Sequence, residues 1–164
     1  MNKLNIIFTV LAFVLVSCDD KSAELREEYD TLLGESQRLT EVHQELSEAN
    51  ELLGQEHLEL TNLIDNLSEE TVGLPDLAEH EVILQRHEAI LQGHQALLQG
   101  HEELKDGFGE LTPEEMEAQI DKMREDHERL VEGHEEMTDE HEELRQQHEE
   151  LRTELSTLLE EIDI

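Results

Sequence analysis

Leucine returns at every seventh position along the first part of the chain, at Leu25, Leu32, Leu39, Leu46, Leu53, Leu60 and Leu67. Between these leucines stand Tyr29, Ser36, His43, Asn50, His57 and Ile64, at the complementary heptad spacing. Written as abcdefg, leucine is d and a mostly polar residue is a, the seam of an amphipathic helix packed against another. The flanks are rich in Glu, Gln, Ser and Thr, and no proline precedes Pro75. The pattern predicts one helix from Asp20 to about Glu70, roughly 75 Å long at 1.5 Å per residue.

The same seam returns near the C-terminus, with d at Met116, Met123, Leu130, Met137, Leu144, Leu151 and Leu158 and a at Ile120, His127, His134, His141, His148, Leu155 and Ile162. Its start is marked by Thr112 as N-cap, Pro113 at the first helical position, and Glu114 and Glu115 against the positive end of the macrodipole. Between the two runs lies a third repeat in which His80, His87, His94 and His101 each stand three residues before Ile83, Ile90, Leu97 and Leu104. Leu84, Leu91 and Leu98 widen its apolar face beyond a two-residue seam.

The middle repeat is two residues out of phase with each neighbour, a slip that rotates an apolar stripe by about 200°. Breaks stand at both slips: Gly73 and Pro75 at the first, Gly107, Gly109 and Pro113 at the second. The expected fold is all-α, with long heptad-repeat helices in three segments forming a coiled coil or an elongated helical bundle. The segments are residues 18–74, 75–107 and 108–164, after a leader of residues 1–17. Leu at d with a polar a suits parallel dimers, whereas the wide middle face suits three or more packed helices. A homo-oligomer, a helical protein partner or an antiparallel fold-back would each satisfy the pattern. Gly93, Gly100 and Gly133 each precede a histidine at a cost of about 1 kcal/mol in helix propensity; close helix approach or tolerance by a long helix accounts for them.

Composition narrows the function. Of 164 residues only 36% are hydrophobic and 2% aromatic, little material for a globular enzyme core. Asp and Glu number 44 against 11 Lys and Arg, and a net charge of -33 repels nucleic acid. No phosphate-binding glycine loop, nucleophile elbow or Cys–His pair in the mature chain is present, and the carboxylates are spread rather than secluded, so neither an enzyme nor a small-molecule substrate is expected. No Asp-rich twelve-residue calcium loop is found either.

The N-terminus carries an address. Lys3 supplies a positive start, Ile6 to Val16 is almost wholly apolar, and small Ser17 precedes the single cysteine, Cys18. This is the composition of a signal peptide, with an apolar run shorter than the roughly 20 residues of a membrane-spanning helix. The quartet Leu15-Val16-Ser17-Cys18 resembles the lipobox of bacterial lipoproteins. The resemblance implies export across the inner membrane, cleavage before Cys18, and covalent lipid on that residue. Two or three acyl chains meet the requirement for stable anchoring, so the expected location is the bacterial cell envelope, with the membrane as a partner through the lipid. Asp19, Asp20 and Lys21 stand where lipoproteins carry sorting signals, and the leaflet stays open. A lipidated cysteine followed by a heptad helix is also similar, in architecture only, to the major murein lipoprotein. That protein ends in a wall-linked lysine, whereas this chain ends Glu161-Ile162-Asp163-Ile164.

Eight of the ten histidines, His80, His87, His94, His101, His127, His134, His141 and His148, fall in two runs at strict heptad spacing. Each run therefore lies on one stripe. Three readings compete. As a semi-polar seam residue, His at a lowers stability slightly and fixes register, as Asn50 does in its own layer; ligand spacing favours this reading. As a proton sensor, it titrates near 6.5, lowered by burial and raised by Glu81, Glu88, Glu128, Glu135, Glu142 and Glu149. As a metal ligand, it would meet symmetry mates across the axis of a parallel oligomer and hold Zn(II) or another transition ion. No two histidines are four apart, so one helix alone offers no metal pair. Function is thus expected to be that of a lipid-anchored envelope scaffold, a coiled-coil spacer or partner-binding rod without cofactor, the alternative being a histidine-rich metal- or proton-responsive module.

Overall fold

The computed structural model describes the backbone of residues 3–66 and 77–162, and the side chains of residues 20–66 and 77–160. Within these the fold is all-α, with α1 Lys3–Asn66, α2 Ala78–Phe108 and α3 Pro113–Ile162 and no strand. The first break, at Gly73 and Pro75, together with Leu67 and the side chains of Cys18 and Ile162, lies outside the described residues. The first helix starts at Lys3 instead of Asp20. The reason is local: no Gly or Pro separates the apolar run from the heptads, so nothing interrupts the backbone ladder. No helix among the described residues is long and apolar enough to cross a membrane.

The predicted start of α3 is present as a capping box. Thr112 Oγ1 accepts from the Glu115 N–H at 3.3 Å, and Glu115 Oε2 accepts from the Thr112 N–H at 2.9 Å, so two otherwise orphaned helix-end donors are satisfied. The Thr112 N–H and then its hydroxyl, both donating to Glu115 Oε2, hold the Glu115 carboxyl below its ordinary value. At the preceding turn, Glu110 N–H and Leu111 N–H donate to the carbonyls of Gly107 and Phe108. Arg26 closes it by donating to the Gly109 carbonyl at 2.8 Å.

The chain divides into two compact units, each taking a piece of all three helices: residues 1–40 with 96–130, and residues 41–95 with 131–164. In the first unit, Leu25, Tyr29, Leu32, Leu33, Phe108, Met116, Ile120 and Met123 form one buried cluster. The Tyr29 and Phe108 rings stack with centroids 4.0 Å apart, and Tyr29 donates its hydroxyl to the His101 carbonyl at 3.0 Å. The pair supplies large buried area with its one polar tip satisfied. The two aromatics that lie beyond the N-terminal apolar run are therefore partners.

In the second unit, apolar layers repeat: Leu46 with Leu91 and Met137, Leu53 with Leu84 and Leu144, Leu60 with Leu77 and Leu151. Each heptad gained along α1 is a heptad lost along α2 and a heptad gained along α3. In this unit α2 therefore runs antiparallel to the other two, and all three helices pair within one chain. Reversal of α2 also corrects its seam. Read against α1, the leucine sharing the stripe with each histidine is Leu84 or Leu91, which are buried, whereas Ile83 and Ile90 pack only at the margin of the clusters. In the first unit Leu98 is likewise buried while Leu97 and Leu104 are half-buried. The phase slips then carry no rotation of a continuous stripe, because α2 runs opposite to its neighbours in this unit and an antiparallel helix presents the three-four alternation in reverse.

Candidate metal centre

Between the leucine layers of the second unit lie polar ones, built from the a positions. His43, His94 and His134 form one, His57, His80 and His148 another, each ring from a different helix. In both, one nitrogen of every ring lies within 4.8 Å of one nitrogen of each other ring. Ring centroids are 5.0–6.5 Å apart in the first layer and 5.2–6.1 Å in the second. The layer between them holds Asn50, His87 and His141. There Asn50 Oδ1 accepts from His141 Nε2 at 3.2 Å, and His87 Nε2 donates to Glu140 Oε2 at 2.5 Å.

The remaining two predicted histidines lie in the first unit with Ser36. Ser36 Oγ lies 2.7 Å from His127 Nε2 and 3.1 Å from His101 Nδ1. His101 Nε2 reaches Asp126 Oδ2 at 3.2 Å and His127 Nδ1 reaches Glu35 Oε2 at 3.3 Å. Both imidazoles are satisfied at both nitrogens. Asp126 is fully buried and burial pushes its carboxyl upward, but hydrogen bonds from Lys122, His101 and Arg129 outweigh this and hold it below the ordinary aspartate range. This layer is a closed hydrogen-bond network.

The two three-histidine layers are the opposite case. Nδ1 of His43, His57, His80 and His94, and both ring nitrogens of His134 and His148, are buried without a hydrogen-bond partner. Glu56 stands 3.6 Å from His148 Nδ1, too far to satisfy it. An orphaned buried polar group costs about 1–3 kcal/mol, and leucine would fill the same volume without that cost. Packing alone does not explain three such rings on one level.

Burial pushes the pKa of His43, His57, His94, His101, His134, His141 and His148 below the ordinary value. His134 falls to about 4, through burial and then its neighbours His94 and His43. His141 also falls to about 4, through burial, then His87 and Arg145, with Glu140 opposing. For these seven rings burial outweighs the carboxylates; Glu81 appears as an opposing influence at His57, after burial and His80. A ring kept neutral at neutral pH retains the lone pair a metal requires.

The donor set fits a first-row divalent transition ion. Three neutral imidazoles are the protein ligands of an open tetrahedral zinc site, and imidazole equally suits copper, nickel and cobalt. A tetrahedron with bonds of 2.0–2.1 Å has an edge of about 3.3 Å, so rotation of the rings within their layer must draw the nitrogens together. Gly133 makes room for one of them: a Cβ there would stand 2.8 Å from His94 Cε1 and 3.2 Å from Nε2. Gly93 and Gly100 have no such neighbour within 4 Å. Close approach thus explains Gly133, and tolerance explains the other two.

All eight predicted histidines sit in polar layers, paired as His80 with His148, His94 with His134, His87 with His141 and His101 with His127. They meet inside one chain, without the symmetry axis a parallel oligomer would supply. Sequence reasoning missed His43 and His57 as third donors, and Ser36, Asn50, Asp126 and Glu140 as hydrogen-bond partners. The usable signal was the run of polar a positions on α1, which answers the histidines of α2 and α3 one for one. No protein family, curated protein or solved structure matches the chain, and the site is read from its own geometry.

Proposed function

We propose that the chain is a helical envelope scaffold, tethered through lipid on Cys18, whose second unit binds two transition-metal ions in its three-histidine layers. The observation that carries the metal reading is the pair of layers in which one imidazole nitrogen from each of three helices lies within 4.8 Å of the other two, while every ring keeps a buried nitrogen with no hydrogen-bond partner. Leucine layers on either side supply the rigid frame that such a site needs. The lipobox-like quartet supports the tether, and the heptad seams support the scaffold.

Titration of the metal-free protein with Co(II), followed by its visible absorbance and by competition with Zn(II), tests the reading. Two ions per chain are expected, falling to one when His57, His80 and His148 are replaced by Asn and to none when His43, His94 and His134 are replaced as well. The acidic surface is unchanged in these variants, so binding that persists in the six-fold variant would identify adsorption to carboxylates and overturn the proposal.

A further inference from the structure

In the second unit, α2 and α3 leave a groove of about 660 Å³ between them. Glu79, Glu140, Glu143, Glu150 and Glu154 line it, together with His80. His80 is only 8% exposed and its Nδ1 has no hydrogen-bond partner, yet it borders this groove and belongs to the layer with His57 and His148. No lysine or arginine lines the groove. Arg86 and His87 engage Glu140, which leaves the carboxylates of Glu79, Glu143, Glu150 and Glu154 as the anionic lining.

A hydrated divalent cation cannot enter a leucine-packed interior without replacing its waters, since desolvating an unpaired charge costs far more than the bundle's whole stability. Carboxylates at the mouth of a cleft concentrate cations, and low-dielectric walls focus the field. They also offer oxygen ligands that replace water one at a time, and an imidazole at the boundary takes the ion onward. His80 is placed for that hand-over: it touches the acidic groove on one side and the other two imidazoles on the other. Accordingly, we infer that the α2–α3 groove is the entry port through which divalent transition-metal ions load the His57–His80–His148 layer. This inference rests on the metal reading above and adds the route and the residues that set its rate.

The test is the rate of Co(II) uptake by the full chain, measured by stopped-flow absorbance in a His134→Asn background so that one three-imidazole layer reports. Replacing Glu79, Glu143, Glu150 and Glu154 by Gln is expected to slow association about tenfold and to weaken its salt dependence, with the dissociation rate and the one-ion end point unchanged. The matched control replaces Glu45, Glu48, Glu51 and Glu59, on a helix that does not line the groove, and is expected to stay within twofold of the parent. Equal slowing in both variants would assign the effect to overall charge and overturn the port. An unchanged rate in the groove variant would overturn it while leaving the metal reading intact, because the end point still counts one ion. A faster dissociation or a lost end point would make the carboxylates ligands of the bound ion and overturn the port equally. Absence of uptake by the parent would overturn both.

Discussion

Acidifying the metal-free protein from pH 7.5 to pH 5.5 should destabilise it, and the size of the effect follows from two rings. His134 and His141 have folded pKa values of about 4 against an ordinary 6.5. Above pH 6.5 both rings are neutral folded or unfolded, and stability does not depend on them. As pH falls through 6.5 the unfolded chain takes up protons that the folded chain refuses until about pH 4, so stability drops across that window. At pH 5.5 each ring has cost the folded state about 1.3 kcal/mol relative to pH 7.5, and the pair about 2.6 kcal/mol. For a chain of this size that corresponds to a fall in Tm of roughly 5–10 °C. His43, His57, His94, His101 and His148 are lowered too and act in the same direction. Exposed carboxylates remain mostly ionised at pH 5.5, and the part that protonates relieves self-repulsion, which opposes the fall. Melting followed by ellipticity at 222 nm, with a chelator present, at pH 7.5, 6.5 and 5.5 measures it. The double variant His134→Asn, His141→Asn should lose that much of the pH dependence, whatever its Tm at pH 7.5. A Tm that stays level or rises toward pH 5.5 in the parent would refute burial as the dominant influence on these imidazoles.

Glycine substitutions separate open positions from the one that houses a ring: Gly93→Ala and Gly100→Ala should each raise stability by about 1 kcal/mol. Gly133→Ala should gain less and should weaken Co(II) binding in the His43 layer alone, because its Cβ would stand 2.8 Å from His94 Cε1; equal gains from all three with both ions retained would argue against that contact. Asp126→Ala should cost about 1–3 kcal/mol in chemical denaturation, since it leaves the buried His101 Nε2 without a partner, while the exposed Lys122 and Arg129 turn to water. Asp139→Ala, at an exposed position, should change stability by less than about 0.5 kcal/mol. Cys18→Ser should shift the protein from the detergent phase to the aqueous phase on fractionation, because the only thiol in the chain is then gone; unchanged partitioning would sink the lipid anchor.

What could be read from the sequence was whatever one helix specifies about itself. The leucine row of α1, the seam of α3 and the cap at Thr112 depend on spacing within a single strand of chain, and among the described residues they are present, with Leu39 and Leu158 half-buried and the other predicted leucines and methionines of the two rows buried. What could not be read depends on the direction of a neighbour. His80 is followed by Ile83 at three residues and by Leu84 at four, and both choices repeat every seven. Only the antiparallel course of α2 beside α1 selects Leu84. The same ambiguity hid the site. His43 and His57 alternate with Ser36 and Asn50 on α1 and resemble scattered polar seam positions, until two heptad runs 91 residues apart come into register. Heptads give a stripe its period without saying which helix will face it.

The contrast between the polar layers decides between register-setting and binding. A polar layer that merely fixes register is stable when its hydrogen bonds are closed, and Ser36 with His101 and His127 meets that condition at every ring nitrogen. Asn50 with His87 and His141 meets it in part, through Glu140 and Asn50 itself. One such layer in each unit suffices to penalise a slipped register, because a seven-residue slip would set these partners against different side chains. The layers of His43 and His57 add nothing to register that their neighbours do not supply, yet each leaves ring nitrogens orphaned on three helices. A metal ion turns this liability into stability: it satisfies three nitrogens at once, and it binds the folded arrangement far better than an unfolded chain in which the three histidines are apart, so its binding energy adds to folding energy. The same linkage fixes the direction of control. Protons compete for the nitrogens the metal needs, and the low pKa of His134 postpones that competition to about pH 4 in the folded state. Metal bound in the His43 layer should therefore add a nearly constant increment of stability from neutral pH down toward pH 5, while overall stability falls as the unfolded chain takes up protons, and the increment should fade only as pH approaches the value of about 4 at which His134 itself is protonated.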